Sequence, residues 1–254
     1  MARVGRRADI HFHLLPGVDD GPPTEAQAAE LARATVADGT DDVVATPHVR
    51  LVEVMELPDR IERLRHVLRS EDVALEVHCG GELHPDDVPR LAPSELDVLG
   101  IGPSGAAWLL LEAPLMGGAE TFAPAASELR AHGYSVVIAH PERSPGMVEL
   151  GLDETLQIEV SAGSRIQINA TSLLGRHGDA ARRRAIHLID AGFAHAVASD
   201  AHGLERGPVL TTAFIEIQRR WGWQVARALV DEGPRRLLSH GIAAPSGLAR
   251  AGLR

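Results

Sequence analysis

Ala8-Asp9-Ile10-His11-Phe12-His13 is a short, mostly apolar run that ends in two histidines one residue apart. Read as a β-strand, it points side chains at i and i+2 the same way. His11 and His13 then share a face and Phe12 takes the other. A lone His-x-His is common by chance, so the surroundings decide its meaning. Six further runs have the same character: 42–47, 74–82, 107–112, 135–140, 165–170 and 194–200. Most are nearly continuous in apolar residues, as parallel strands covered on both faces are.

The segments between them read as helices. In 24–38, Thr24 stands as N-cap with Gln27 three residues on, which predicts a capping box. Ala28, Leu31, Ala32, Thr35 and Val36 recur at helical spacing, and Gly39 sits where a C′ glycine belongs. Residues 59–70, 121–132, 179–191 and 208–221 are further helices by the same reasoning. Strands alternating with helices predict a parallel (β/α) barrel in one domain over 1–254, with a doubly wound open sheet as the alternative.

Composition removes several function classes. The net charge of −10 argues against nucleic acid and against an anionic membrane surface as partners. The longest apolar run, 106–111, is far too short to span a bilayer. Residues 1–7 are basic, but no apolar stretch of signal-peptide length follows. The single cysteine, Cys79, permits no intramolecular disulfide, and a cytoplasmic protein is expected. Cys79 is not a cysteine-phosphatase nucleophile either, because a Cys-x5-Arg loop would need arginine where Pro85 stands. All 25 basic residues are arginine, which excludes lysine Schiff-base chemistry and a phosphate-loop lysine.

Nearly every strand ends in a side chain able to bind metal: His11 and His13, His48, Glu82, Glu112, His140, and Asp200 with His202. In a parallel barrel these ends meet on one face, where barrel enzymes keep their sites. Each residue alone has an ordinary explanation; independent accidents would not all fall at strand C-termini. Imidazole mixed with carboxylate, without a thiolate cluster, suits Mn, Fe or Zn in a working site rather than structural zinc.

The whole set resembles a known family. Asp9-Ile10-His11-Phe12-His13-Leu14-Leu15-Pro16-Gly17-Val18-Asp19-Asp20-Gly21 is similar to the opening motif of bacterial metal-dependent protein-tyrosine phosphatases of the CpsB/CapC type, within the polymerase-and-histidinol-phosphatase (PHP) superfamily. So are Ala45-Thr46-Pro47-His48, Gly80-Gly81-Glu82, Ile138-Ala139-His140-Pro141-Glu142-Arg143, Gln167-Ile168-Asn169-Ala170 with Ser172-Leu173-Leu174-Gly175, and Ala198-Ser199-Asp200-Ala201-His202. The resemblance runs in order from residue 8 to about 236.

It implies a distorted (β/α)7 PHP-type barrel holding three ions, expected to be Mn2+. The first ion would take His11, His13, Glu82 and Asp200. The second would take a bridging Glu82 with Glu112 and His140. The third would take Asp20, His48 and His202, with Asp19 the competitor for Asp20. Four carboxylates against three divalent ions leave a formal charge of about +2, which attracts a phosphate dianion. Ions of this kind lower the pKa of bound water to roughly 7 and so provide hydroxide for in-line attack. Arg143 and Arg206 are the phosphate-clamp candidates, Arg206 through a one-residue shift because Gly207 holds the ungapped position. Val49 and His84 depart from common family residues, and both are expected at the cleft rim. The other histidines (66, 78, 132, 177, 187, 195 and 240) carry no motif and read as structural.

The implied substrate is a phosphotyrosyl protein, by resemblance a tyrosine kinase that regulates exopolysaccharide or capsule synthesis. Two other readings stand beside it: another PHP phosphatase such as histidinol-phosphate phosphatase, and a catalytically silent PHP-fold binding module.

Overall fold

A computed structural model describes residues 7–117 and 119–243; most of the basic opening stretch therefore lies outside the described residues. The strands are β1 (Arg7–Phe12), β2 (Thr40–Ala45), β3 (Glu76–Cys79), β4 (Glu82–Leu83), β5 (Trp108–Glu112), β6 (Ser135–Ala139), β7 (Arg165–Asn169) and β8 (Ala196–Ala198). They form a three-stranded sheet, β1-β2-β3, and a five-stranded sheet, β4-β5-β6-β7-β8, with every strand pairing parallel.

Two seams join the sheets. At one, Phe12 bridges Ala201, the Asp200 amide donates to the His11 carbonyl at 3.0 Å, and the His13 amide donates to the Ala201 carbonyl at 2.9 Å. At the other, His48 bridges Glu82, whose amide donates to the Pro47 carbonyl at 3.0 Å. Joined edges on both sides favour a barrel-like mixed α/β fold over the open-sheet alternative.

The expected strand 74–82 is divided. Gly80-Gly81 separates β3, which pairs with β2, from β4, which pairs with β5. The reason is steric. A Cβ on Gly80 would lie 2.7 Å from Val44 Cγ1, and one on Gly81 would lie 2.6 Å from Leu99 Cδ2. Only glycine lets the chain pass this close to its neighbours while crossing between sheets.

The expected helices recur within two residues of their bounds: Glu25–Ala37, Leu57–Ser70, Ala119–Ala131, Gly178–Asp190 and Leu210–Trp221. Thr24 caps the first by accepting the Gln27 amide at 3.3 Å. Its hydroxyl donates back to the Gln27 side chain at 3.1 Å, in place of the second capping-box bond. Gly39 follows with φ +92°, the left-handed conformation a C′ glycine takes.

Alternation along the strands sorts the core into two layers. Leu109 and Leu111 of β5, Ile138 of β6 and Val197 of β8 join the large cluster that also holds helix residues such as Leu31, Leu64 and Phe122. Trp108, Leu110, Val137, Ala139, Ala196 and Ala198 face the other way and pack with Leu237 and Ile242. Trp108 is fully buried there, and its indole N–H donates to the Leu237 carbonyl at 3.0 Å. On β7 the inward positions are Gln167 and Asn169, both buried. In β1 the pairing register shifts between Asp9 and Phe12. Ile10 therefore joins the inner cluster while Phe12 joins the outer one, and His11 is left free for the mouth.

Gly81→Ala tests the break between β3 and β4. Crowding Leu99 and Val49 is expected to cost about 1–3 kcal/mol, read from the urea midpoint. A variant as stable as the parent would mean that the close approach does not matter.

Candidate metal centre

The metal-capable residues lie in or next to the strands and gather in one place. His11 lies within β1 and His13 just beyond it, Glu82 opens β4, and Glu112 ends β5. His140 follows β6 with φ 35°, and Asp200 lies two residues beyond β8 with φ 54°. Left-handed backbone at a residue other than glycine costs about 1–3 kcal/mol, and such residues cluster at functional sites. Here it turns both side chains inward at the moment the strand stops.

Three groups of side chains bring ligand atoms within 4.8 Å of one another: His13, Asp20, His48 and His202; His11, Glu82 and His140; and His11, His13 and Asp200. Glu82 lies among all of them. Its Oε2 is 3.4 Å from both His11 Nε2 and His13 Nε2 and 3.0 Å from His48 Nδ1, and its Oε1 is 3.0 Å from His140 Nε2. Asp200 Oδ1 sits 3.4 Å from His11 Nε2 and 3.6 Å from His13 Nε2. Asp20 Oδ1 sits 3.1 Å from His202 Nε2 and 3.5 Å from His48 Nε2. Glu112 stands slightly apart: it is buried near Glu82 and outside these three groups.

Asp19 takes another place from Asp20. Its Oδ2 is 2.7 Å from His13 Nδ1 and accepts the His48 amide, and its Oδ1 accepts the Gly21 amide. It fixes the backbone at His48 and holds the His13 ring from behind. Gln167 Oε1 does the same for His11 Nδ1 at 3.2 Å, and the Asp200 carbonyl for His202 Nδ1 at 2.8 Å. With each Nδ1–H donated to an oxygen, the Nε2 lone pairs of His11, His13 and His202 face the site. His11 Nε2 and His13 Nε2 then lie 3.3 Å apart, ringed by carboxylate oxygens. Acceptors crowded against acceptors need a cation between them, so the donor set fits divalent metal.

The charges agree. For His13, burial favours the neutral ring, but the Asp19 hydrogen bond and the Glu82 and Asp200 charges outweigh it and raise the group to about 10. Burial opposes ionisation of Glu82, yet the histidines around it hold its carboxyl well below the usual range. Burial, and then the neighbouring Glu82 charge, push Glu112 up to about 7. Protons thus occupy the metal-free site at neutral pH.

Both arginines reach the same carboxylates. Arg143 Nη1 donates to Asp200 Oδ2 at 2.8 Å, and Arg206 Nη1 donates to Asp20 Oδ2 at 3.2 Å. Arg206 is half-exposed, whereas Arg143 is mostly covered.

Other residues near the site stand in the quoted motifs or beside them without a role assigned from sequence. Asn169 Nδ2 donates to Asp200 Oδ2 at 2.8 Å, and the Asn169 amide donates to the wholly buried Glu142 at 3.0 Å. Asp9 accepts the Ser199 and His11 amides, tying β1 to the segment after β8 beneath the ligands. The signal for Gln167 and Asn169 was present: polar residues at i and i+2 between Ile166 and Ile168. His177, read as structural, lies within hydrogen-bond distance of Ser172 and Thr171, and burial plus the Arg143 charge lower it to about 4. Val49 departs from expectation. It is buried in the main core against Gly81 rather than at the rim, because the 3-10 turn Val49–Leu51 folds it inward. His84 accepts the Asp86 amide and caps a short helix.

This geometry has known counterparts. A family model described as "Capsular polysaccharide synthesis, CpsB/CapC" matches residues 7–239. The tyrosine-protein phosphatase YwqE of Bacillus subtilis is 32% identical over 230 residues, covering 88% of each chain. The putative tyrosine-protein phosphatase CapC of Staphylococcus aureus is 31% identical over 206 residues, 80% of this chain and 79% of its own. Among solved structures, one of the metal-dependent tyrosine phosphatases YwqE from Bacillus subtilis and CpsB from Streptococcus pneumoniae superposes with a TM-score of 0.79 at 28% identity, covering 96% of this chain and all of its own. A phosphotriesterase homology protein from Escherichia coli shares the fold, with a TM-score of 0.60 at 14% identity over 93% of this chain and 99% of its own. Matched along nearly its whole described length, the chain belongs to the CpsB/CapC family.

Proposed function

We propose that this chain is a metal-dependent protein-tyrosine phosphatase acting in capsule or exopolysaccharide synthesis. The observation that carries the reading is the set of lone pairs and carboxylates converging between His11, His13, Glu82 and Asp200. Three ions, Mn2+ in the first instance and Fe or Zn by the same ligand chemistry, would be held as follows. His11, His13, Glu82 and Asp200 hold one; Glu82, Glu112 and His140 hold a second; Asp20, His48 and His202 hold the third. Bound divalent ions supply positive charge for the phosphoryl oxygens and acidify water at neutral pH.

The chain's own groups do the rest. Asp19, Gln167 and the Asp200 carbonyl keep the histidines in one tautomer and one orientation. Arg143 and Arg206, reaching over Asp200 and Asp20, present guanidinium forks to the non-bridging oxygens of the phosphate. A tyrosyl oxygen has a pKa of about 10 and leaves with little acid help, and no general acid is assigned.

The accompanying fold reading is a single domain over 1–254 with a distorted (β/α)7 barrel, β3 and β4 counting as one broken strand. The substrate is a phosphotyrosyl protein, with a bacterial tyrosine kinase as the partner in view. Among the described residues no helix is long and apolar enough to cross a membrane. We assign the protein to the cytoplasm.

Chelator-stripped protein should lose turnover of a phosphotyrosyl peptide and regain it with Mn2+, with elemental analysis returning about three ions per chain on the ligand grouping above. Good turnover of an alkyl phosphate with none of the phosphotyrosyl peptide would sink the tyrosine assignment.

Protons and metal compete for the same atoms. His13, raised to about 10, and Glu112, raised to about 7, hold protons in the metal-free protein. The His13 contribution to metal-free stability is complete below 6.5 and is lost as pH rises through about 10. The gain in Tm from added Mn2+ should therefore grow as pH rises through this window. A gain independent of pH would contradict the ligand assignment.

Arg143→Ala should lower kcat/KM on a phosphotyrosyl peptide by about 10²–10³-fold, with Arg143→Lys recovering only part because it lacks the fork. Metal content measured on the same samples separates loss of the clamp from disturbance of Asp200.

A further inference from the structure

The segments that follow Glu112 at the end of β5 and His140 after β6 line an open-sided cavity of about 360 Å³. Leu115, Met116 and Leu150 supply apolar walls, and Glu120 and Glu149 stand with them. Met116 is 89% exposed and Leu150 52%, so the apolar surface is open to a visitor. Neither glutamate has a hydrogen-bond or ion-pair partner among the described residues. Ser144 Oγ donates to the Pro114 carbonyl at 2.5 Å, which locks the two loops together at the base. Pro145, also lining the cavity, is two residues from Arg143, so their Cα atoms are at most about 7.6 Å apart.

We propose that this cavity is a specificity subsite for a lysine or arginine side chain flanking the phosphotyrosine of the substrate. The proposal rests on the phosphotyrosine phosphatase reading above. Apolar walls suit the methylene stem of such a side chain, and the two free carboxylates suit its cationic head. A purely apolar side chain would leave both carboxylates facing it, and an acidic one would be repelled. The polarity also matches along the substrate. The phosphate goes to the arginines and metal-binding groups, and the cation goes to the acidic rim one loop away. An extended peptide advances about 3.3 Å per residue, which puts the favoured position within about three residues of the phosphotyrosine.

The test uses the Mn-loaded protein and phosphotyrosyl peptides identical except for lysine or glutamate at each position within about three residues of the phosphotyrosine. Each kcat/KM is divided by that for free phosphotyrosine, which carries no flanking side chain. At one position lysine should exceed glutamate by about tenfold, as two partly exposed ion pairs allow. The ratio should fall towards one in Glu120→Gln/Glu149→Gln and shrink as salt rises. In Glu120→Arg/Glu149→Arg the preference should invert. A lysine-to-glutamate ratio near one at every position, or a ratio unchanged in both double variants, would overturn the subsite. Absence of turnover on every phosphotyrosyl peptide and on free phosphotyrosine would instead overturn the phosphatase reading.

Discussion

Glu82 is a carboxylate almost sealed from water, with four imidazoles against its two oxygens. A charge in that position is tolerable only if it is fully matched, because an isolated buried carboxylate is costly by several kcal/mol. Much of the surrounding architecture meets this condition. The Gly80-Gly81 break moves Glu82 out of line with β3 and onto the edge of β5. The bridge from His48 fixes its backbone at the seam between sheets. The left-handed turn at His140 brings that ring onto Oε1. Two of the three left-handed non-glycine residues among the described residues, His140 and Asp200, and the close contacts at Gly80-Gly81 lie where the metal-capable side chains meet.

Behind the ligands lies a second layer that is nearly as specific. Asp19 and Gln167 each hold one imidazole by its far nitrogen. Asn169 steadies Asp200 from the side, and Glu142 steadies Asn169 through its amide. Asp9 fastens β1 to the segment carrying Asp200. These groups are polar and buried, and their hydrogen bonds pass from one strand end to the next. The orientation of the metal-capable side chains is therefore a property of the two joined sheets and not of any one loop.

The strand ends were legible because apolar runs and metal-capable residues follow one another in linear order. His11 and His13 could be paired by strand geometry alone. Asp20 was chosen over Asp19 only for its place before Gly21; the structure gives the physical difference, sending Asp20 toward His202 and Asp19 under His13. Val49 was misplaced for a related reason. A residue next to a ligand is near the site in sequence, but a single 3-10 turn is enough to bury it in the core against Gly81. His177 gave no motif, and its closeness to Arg143 arises only in the folded chain, where the turn after the helix Ala170–Leu173 sets its ring against Thr171 and Ser172.

The sequence by itself determined the alternation of strands and helices, the chemical types of the metal-capable residues and their closeness to strand ends. Those properties are written in local periodicity and side-chain chemistry. Only the tertiary structure decided which metal-capable side chains come together, where Glu82 stands among them and that the strand containing it is broken. Those depend on how two sheets meet at their seams, which no single stretch of sequence encodes. The opening pair, His11 and His13, shows both sides. Their common face follows from residue spacing, whereas their Nε2 atoms meet at 3.3 Å because Gln167 and Asp19, from other parts of the chain, hold each ring from behind.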